Sequence, residues 1–179
     1  MEFRWALIAC VGVLVLGTLK GIVAAIIISM IGLAGQTAQP RVSVIGRKRG
    51  ADVLRPLSQE HPDDETFEGL LIVRPEGRLF FVNAQNVQEQ IAALVAKYQP
   101  HVLALDLSRV TDIEYSALQA LMEGEQRTAD SGAEVWLAGL NPGVLEVVRH
   151  AGLDQRLGPE RLLFNARAVI NRYESLQNT

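Results

Sequence analysis

The chain has 179 residues, a formal net charge of −3 at pH 7 and a pI near 5.6, a balance that gives no reason to expect nucleic acid as a partner. A single cysteine, Cys10, excludes an intramolecular disulfide framework and a cysteine-based zinc site, and three scattered histidines give no basis for a metal site or a cofactor. The length fits one ordinary domain plus a short extra element.

The first element is an apolar stretch from Ala6 to Leu33, in which Lys20 is the only charged residue. As one helix it would be about 42 Å long, longer than the hydrocarbon core of about 30 Å, yet it is too short for two full spans. Glycines flank Lys20, and a break there would relieve the cost of about 2.5–3.5 kcal/mol for a lysine inside the membrane. We therefore predict two short membrane helices, at about 4–18 and 21–36, that need surrounding protein. One long tilted span with Lys20 reaching the interface is the alternative.

Two processing signals are further interpretations of the first residues. A signal peptide is disfavoured because the n-region is short and carries Glu2, no small-x-small cleavage site follows promptly, and a second apolar run comes directly afterwards. A lipoprotein processing box ending at Cys10 is disfavoured because only six residues precede it. We therefore favour membrane helices over a signal peptide or a lipoprotein processing box for these residues.

Residues 37–66 have the composition of a linker that is basic first and acidic afterwards. Glycine and proline make it partly irregular, although Val42 to Ile45 has the pattern of a short extended piece. The positive-inside rule assigns a basic flank to the cytoplasm, and the residues that determine orientation would be Arg41, Arg47, Lys48 and Arg49. A solvated linker without an orienting role is the simpler alternative.

From Phe67 the pattern alternates between strands and helices. Strands are predicted at Gly69–Arg74 and Leu79–Val82, joined as a hairpin by the turn sequence Pro-Glu-Gly. One apolar face predicts a helix from Val87 to Tyr98, which a proline ends. The apolar run Val102–Leu107 is typical of a strand covered on both faces.

The remaining elements continue this alternation. A helix starts near Leu118, a strand covers Val135–Ala138, and a short helix at Asn141–His150 opens with the favourable pair Asn-Pro. A last helix carries an apolar stripe from Ala166 to Tyr173. The order β-β-α-β-α-β-α-α implies an α/β domain, a small sheet faced by helices.

Two segments carry motifs beyond their periodicity: Leu16–Arg47, with Gly-Thr-Leu-Lys-Gly and Val-Ile-Gly-Arg inside it, and Val102–Leu118 (VLALDLSRVTDIEYSAL). The first resembles the last membrane helices and short basic connector of a sulfate permease (SulP) transporter. The second resembles the strand, loop and helix start that mark STAS domains, so the chain resembles the C-terminal part of such a transporter. The resemblance implies membrane helices in residues 1–36, a cytoplasmic linker in 37–66 and a STAS-type α/β domain with a small mixed sheet in 67–179.

The resemblance also implies a function. The chain would supply the C-terminal membrane helices and the cytoplasmic regulatory STAS domain of a secondary transporter for sulfate or another inorganic anion, in the cell membrane. In that family the anion site lies between half-helices of earlier spans, so this polypeptide would not transport alone. Its partners would be membrane lipid, the transport core in the same or a separate chain, and a second copy in a homodimer. We expect no enzyme, because no nucleophile–base pair at recognisable spacing, Walker loop or Gly-x-Gly-x-x-Gly motif occurs.

The loop before the second helix carries the candidate regulatory residues. In the related anti-sigma-factor antagonists this loop reads Asp-Ser-Ser-Gly and its second serine is phosphorylated; the matching residues here are Glu114, Tyr115, Ser116 and Ala117. A phosphate on Ser116 would be favoured by the helix N-terminus. Helix capping is the simpler interpretation of Ser116, and Thr111, Asp112 and Glu114 could serve as caps in the same way.

Asp106 completes the candidate ligand loop with Asp112, Glu114 and Ser116. It lies near the carboxyl end of a central strand, where open α/β sheets bind ligands. Hydrogen bonding to the following loop, beside Ser108 and Thr111, is its simpler role. A membrane-tethered STAS signalling module that binds a partner kinase or a nucleotide is the alternative function for the whole chain.

Overall fold

The computed structural model describes residues 18–38, 40–130 and 132–177, and the chain forms two compact units, Met1–Gln39 and Pro40–Thr179. In the first unit, helix α1 spans Thr18–Ala38. It contains the predicted second membrane helix, and Lys20 and Gly21 lie inside its first turn rather than in a break. The predicted first helix (4–18) lies outside the described residues except for Thr18. Within the described part of the chain, no helix is both long and apolar enough to cross a membrane.

The second unit alternates strands and helices. The strands are β1 (Val42–Arg47), β2 (Leu54–Pro56), β3 (Leu70–Pro75), β4 (Gly77–Leu79), β5 (Val102–Asp106), β6 (Val110–Ile113), β7 (Glu134–Ala138) and β8 (Leu162–Leu163). The helices are α2 (Phe81–Tyr98), α3 (Tyr115–Asp130), α4 (Pro142–His150), α5 (Leu153–Leu157) and α6 (Ala166–Gln177), with a 3-10 turn at Pro159–Arg161. The strands predicted at Val102–Leu107 and Val135–Ala138, and the three helices predicted after Leu107, form close to where they were expected, whereas α2 begins six residues before the predicted Val87.

The main sheet is mixed and has the order β2-β1-β3-β5-β7-β8. Strand β1 is antiparallel to both of its neighbours, whereas β3, β5, β7 and β8 are parallel. Since side chains alternate along a strand, Leu103 and Leu105 face a core covered by α2 to α5, and Ala104 faces the other core, beneath α6. Trp136 on β7 is fully buried in that second core.

The residues predicted as a linker contribute two strands to this sheet, and the first of them, β1, contains the extended piece predicted at Val42–Ile45. Val44 pairs with Val73 across β1 and β3, and Ile45 is buried. The compact unit consequently begins at Pro40, ahead of the predicted domain start at 67. Composition alone did not indicate that the segment belongs to the domain, because it is ordered by pairing with a distant strand and by ion pairs between its basic and acidic halves.

The predicted hairpin between 69–74 and 79–82 does not form. Strand β4 ends at Leu79 and pairs in parallel with β6, and helix α2 begins at Phe81. Asn83 explains the early helix start: its Oδ1 accepts a hydrogen bond from the Phe80 backbone N–H (3.0 Å), and its Nδ2 donates to the Arg78 carbonyl (2.9 Å). A side chain in the first turn that accepts a hydrogen bond from the backbone before the helix is a typical helix-start signal. It favours a helix here although the apolar run Leu79–Val82 predicted a strand.

The pair Arg55–Asp64 ties the acidic part of the segment to β2 and makes a pH-dependent contribution to stability. Arg55 Nε and Nη2 donate to the two oxygens of Asp64 at 2.8 and 2.7 Å, and these hydrogen bonds lower the pKa of Asp64 below its usual value. A lowered folded-state pKa means that the stabilisation is complete above the unfolded pKa of about 3.9 and is lost as the pH falls through the folded pKa.

We therefore expect the free energy of unfolding to fall less steeply between pH 5 and pH 3 in Asp64→Asn than in the wild type. Urea unfolding at several pH values measures this difference. Asp63→Asn is the matched control, because Asp63 is exposed and has no hydrogen bond among the described residues. Equal pH dependence in Asp64→Asn and the wild type would contradict the role of the pair.

Candidate functional site

The carboxyl ends of β3, β5, β7 and β8 lie at one edge of the sheet, because these four strands are parallel. The loops that follow β5 and β6 carry the predicted site residues. In the described structure these residues form two separate groups, one buried around Asp106 and one exposed around Arg78. No hydrogen bond or ion pair joins the two groups among the described residues.

Asp106 is a buried structural carboxylate. Its Oδ2 accepts hydrogen bonds from Arg74 at 2.8 Å (Nε) and 2.6 Å (Nη2), and its Oδ1 accepts one from the Ser108 backbone N–H at 3.0 Å. The side chain is only 2% exposed. The contact with the loop at Ser108 agrees with the simpler prediction, whereas Thr111 is not a partner. Both oxygens are thus occupied by the protein itself.

Arg74 is a site residue that the sequence analysis missed. It follows Val73 on β3, and the parallel register pairs Val73 with Leu105, the residue before Asp106. A register argument on the predicted strands would have placed this arginine beside the aspartate. The loop after β7 closes over the same group, since a Cβ on Gly139 would lie 2.9 Å from Asp106 Oδ1.

The second group contains Asp112, Glu114 and an arginine from the neighbouring strand. Arg78 contacts Asp112 Oδ2 through Nε (2.9 Å) and Glu114 Oε1 through Nη2 (3.0 Å). The pairing of β4 with β6 brings the three side chains together. All three are at least one-third exposed, so each pair contributes roughly 0–1 kcal/mol. The group carries one excess negative charge at the surface.

Ser116 is exposed in the first turn of α3. Helix α3 opens with the Leu118 N–H donating to the Glu114 carbonyl (3.0 Å), and among the described residues the Ser116 hydroxyl makes no hydrogen bond. The capping interpretation of Ser116 is therefore not seen. Side-chain caps occur instead at Asn141, which accepts from Val144 N–H (3.0 Å), and at Asn165, which accepts from Ala168 N–H (2.9 Å).

These caps give a prediction about stability. Asn141→Ala removes the cap of α4 and also the bond from Asn141 Nδ2 to the Val110 carbonyl (2.8 Å), so we expect a loss of about 1–2 kcal/mol in the free energy of unfolding. Ser116→Ala is the matched control and should stay within about 0.5 kcal/mol of the wild type. Urea unfolding measures both, and a larger loss for Ser116→Ala would restore the capping interpretation.

The basic residues proposed to orient the chain do not form one cluster. Strand β1 separates Arg41 from Lys48 and Arg49 by about 20 Å along the chain direction. Arg47 is paired with Glu65 (2.8 Å) and lies within 3.7 Å of Glu174. Arg41 is exposed before β1, and Lys48 and Arg49 are exposed in the turn between β1 and β2. The role of these residues in orientation stays a prediction.

The described residues contain no group of three or more His, Cys, Asp or Glu side chains that could hold a metal ion.

Residues 61–168 match the STAS domain model. The chain belongs to the STAS domain family. This confirms the predicted STAS-type α/β fold.

The STAS chain is similar in sequence to part of several plant sulfate transporters. It is 26% identical over 163 residues to high affinity sulfate transporter 2 of Stylosanthes hamata, covering 86% of this chain and 24% of that protein. It is 24% identical over 172 residues to sulfate transporter 1.1 of Arabidopsis thaliana, covering 90% of this chain and 26% of that protein. The STAS chain is thus homologous to the STAS region of sulfate transporters, and it spans about a quarter of the length of these relatives.

Solved structures show the same fold. The murine solute carrier 26 family member A9 anion transporter matches with a TM-score of 0.79 at 17% identity, over 96% of this chain and 28% of that one. The STAS domain of a Vibrio cholerae SulP transporter matches with a TM-score of 0.54 at 21% identity, over 67% and 93% of the two chains. The anti-sigma factor antagonist SpoIIAA in its unphosphorylated form matches with a TM-score of 0.51 at 14% identity, over 62% and 93%.

Proposed function

We propose that this STAS chain is the C-terminal membrane segment and cytoplasmic regulatory domain of a secondary transporter for sulfate or another inorganic anion. On this proposal it is not an enzyme, and it docks on a transport core that is encoded in the same or a separate chain. The assembled transporter lies in the cell membrane, with the STAS domain in the cytoplasm and two copies in a homodimer.

The extent of the matches carries this proposal. The STAS model covers residues 61–168, and the anti-sigma factor antagonist covers 62% of the chain, about the size of the domain alone. The sulfate transporter of Stylosanthes hamata matches over 86% of the chain and the murine anion transporter over 96%. The similarity to transporters therefore continues beyond the domain, which a shared signalling domain does not require.

The surface of α1 supports a membrane or protein environment for the first unit. Large apolar side chains along this helix are exposed in the described chain, among them Leu19 (78%), Met30 (66%) and Ile31 (67%). Exposed apolar surface of this kind is unfavourable in water and is typical of a segment that other protein or lipid covers. On this proposal, lipid and the transport core would cover these side chains.

The two candidate groups fit regulation better than catalysis. Asp106 is saturated by Arg74 and Ser108, and Asp112 and Glu114 are paired with Arg78. No described side chain of these groups is placed as a nucleophile with a base beside it. In the proposed regulatory domain, these ion pairs would hold the loops after β5 and β6 in place.

A membrane-tethered signalling module is the second candidate function. The exposed Ser116 at the start of α3 favours it, because a kinase could reach the hydroxyl and a phosphate would be stabilised by the helix N-terminus. The departure of the surrounding residues Glu114, Tyr115 and Ala117 from the Asp-Ser-Ser-Gly pattern weighs against it.

Affinity purification from native membranes distinguishes the two functions. We expect a tagged copy of the chain, extracted in mild detergent, to co-purify with a polytopic anion transporter core that mass spectrometry identifies. A tagged copy with Ser116→Ala should retain that partner. Recovery of a soluble protein kinase, lost in Ser116→Ala, would contradict the transporter proposal and favour the signalling module.

A further inference from the structure

An apolar groove between α2 and α3 is not used by either candidate group. Its volume is about 320 Å³, near the lower limit of small-molecule sites, which span about 300–1,000 Å³. The floor consists of side chains from the central strands, Leu103, Leu105 and Val135, and the walls come from the two helices. The groove is therefore an extension of the main core that opens to the surface.

Small residues on both helices keep the groove open. Ala92 and Ala96 line it from α2, and Gly124 lines it from α3, where larger apolar residues would fill the space. Gln88 holds the helices together at this level, since its Nε2 donates to the Ala120 carbonyl at 2.6 Å and lies 3.1 Å from the position of a Cβ on Gly124. A ligand that covers this apolar surface would remove it from water, which is favourable by about 25 cal/mol per Å².

One positive charge lies at the groove without a partner. Arg127 lines the opening, is exposed, and forms no ion pair among the described residues. The other charged residue there, Glu125, is already paired with Arg156, and Thr128 donates its hydroxyl to the Gly124 carbonyl (2.9 Å). The electrostatic complement of this opening is a single anionic head group.

We propose that the groove binds an amphipathic monocarboxylate, a medium-length fatty acid whose alkyl chain lies along the exposed walls at Ala92 and Ala96 and whose carboxylate contacts Arg127. The apolar walls recognise the chain, and the unpaired guanidinium selects the charge. An amphipathic amine would lack a partner here, because Glu125, the acidic side chain at the opening, is already paired with Arg156. This inference does not depend on the proposed transporter function.

Photo-crosslinking of the full chain in lipid nanodiscs tests the proposal. The probe is a ten-carbon fatty acid with a diazirine on its alkyl chain, and the labelled peptides are located by mass spectrometry. We expect labels in α2 and α3, suppressed by unlabelled decanoate. Decanoate should compete about fifteen-fold more strongly than octanoate, because it buries two more methylenes and each is worth about four-fold in affinity.

Variants distinguish binding in the groove from nonspecific association of the probe with the protein surface or the lipid. Ala92→Phe fills the opening from an exposed position and should remove the label, while circular dichroism confirms the fold. Arg127→Gln should weaken competition by decanoate about ten-fold and leave competition by neutral decanol unchanged. Arg149→Gln, an exposed arginine on α4, is the matched control. Labelling spread over the whole surface, or equal competition in all variants, would overturn the proposal.

Discussion

Arg74→Met is expected to lower the free energy of unfolding by about 3–5 kcal/mol. The substitution leaves the Asp106 carboxylate buried without its positive partner, which is the costly way to break a buried ion pair. Urea unfolding of the wild type and the variant measures the difference. Arg78→Met is the matched control, because it removes the same kind of side chain from an exposed ion pair and should cost less than about 1 kcal/mol.

The double variant Arg74→Met/Asp106→Leu shows whether the loss comes from the unpaired charge. We expect it to be more stable than Arg74→Met alone, because no buried charge remains, although the Ser108 N–H loses its acceptor. A loss below about 1 kcal/mol in Arg74→Met would contradict the structural role of the pair. Asp106 would then be free to act as a ligand, as its place at the strand end suggested.

Gly139→Ala is expected to cost about 3 kcal/mol or more. Gly139 has a φ of +69°, a left-handed conformation that costs a residue with a side chain about 1–2 kcal/mol. In addition, the new Cβ would lie 2.9 Å from both Asp106 Oδ1 and Ser108 Cβ, and the partners that hold Asp106 leave it little freedom to move. The substitution therefore combines backbone strain with a steric conflict at the buried carboxylate.

Gly152→Ala measures the cost of the left-handed backbone conformation alone, without the steric conflict. Gly152 has a nearly identical φ of +70°, but a Cβ there would meet no atom within 4 Å. Its loss should be limited to about 1–2 kcal/mol. Equal losses in the two alanine variants, measured by urea unfolding, would show that the loop after β7 does not press on Asp106.

Local sequence signals were sufficient for the elements that are defined by their own residues. The apolar run of β5, the Asn-Pro start of α4 and the stripe of α6 each predicted an element that the structure contains. The resemblance of Val102–Leu118 to a STAS domain is confirmed by the family match. In these segments the periodicity and the capping residues lie next to each other in the chain.

Two features that escaped prediction depend on residues distant in sequence: the place of β1 and β2 in the domain sheet, and the partner of Asp106. Strands β1 and β2 are fixed by β3 and by the pairs Arg47–Glu65 and Arg55–Asp64, which join the basic and acidic halves of an apparent linker. The partnership of Arg74 with Asp106 depends on a parallel register across 32 positions. Composition and local pattern carry no information about such pairings. An explicit register argument on the predicted strands would have recovered the pairing of Arg74 with Asp106.

An immunoblot of native membranes with an antibody against residues 67–179 tests the central claim most directly. The transporter account predicts a band in the membrane fraction, either several times larger than 19.6 kDa or near 19.6 kDa in a complex with a membrane-embedded transport core. Gel filtration of the detergent extract distinguishes those two forms. A band near 19.6 kDa that is recovered in the aqueous fraction without a membrane partner would contradict the account.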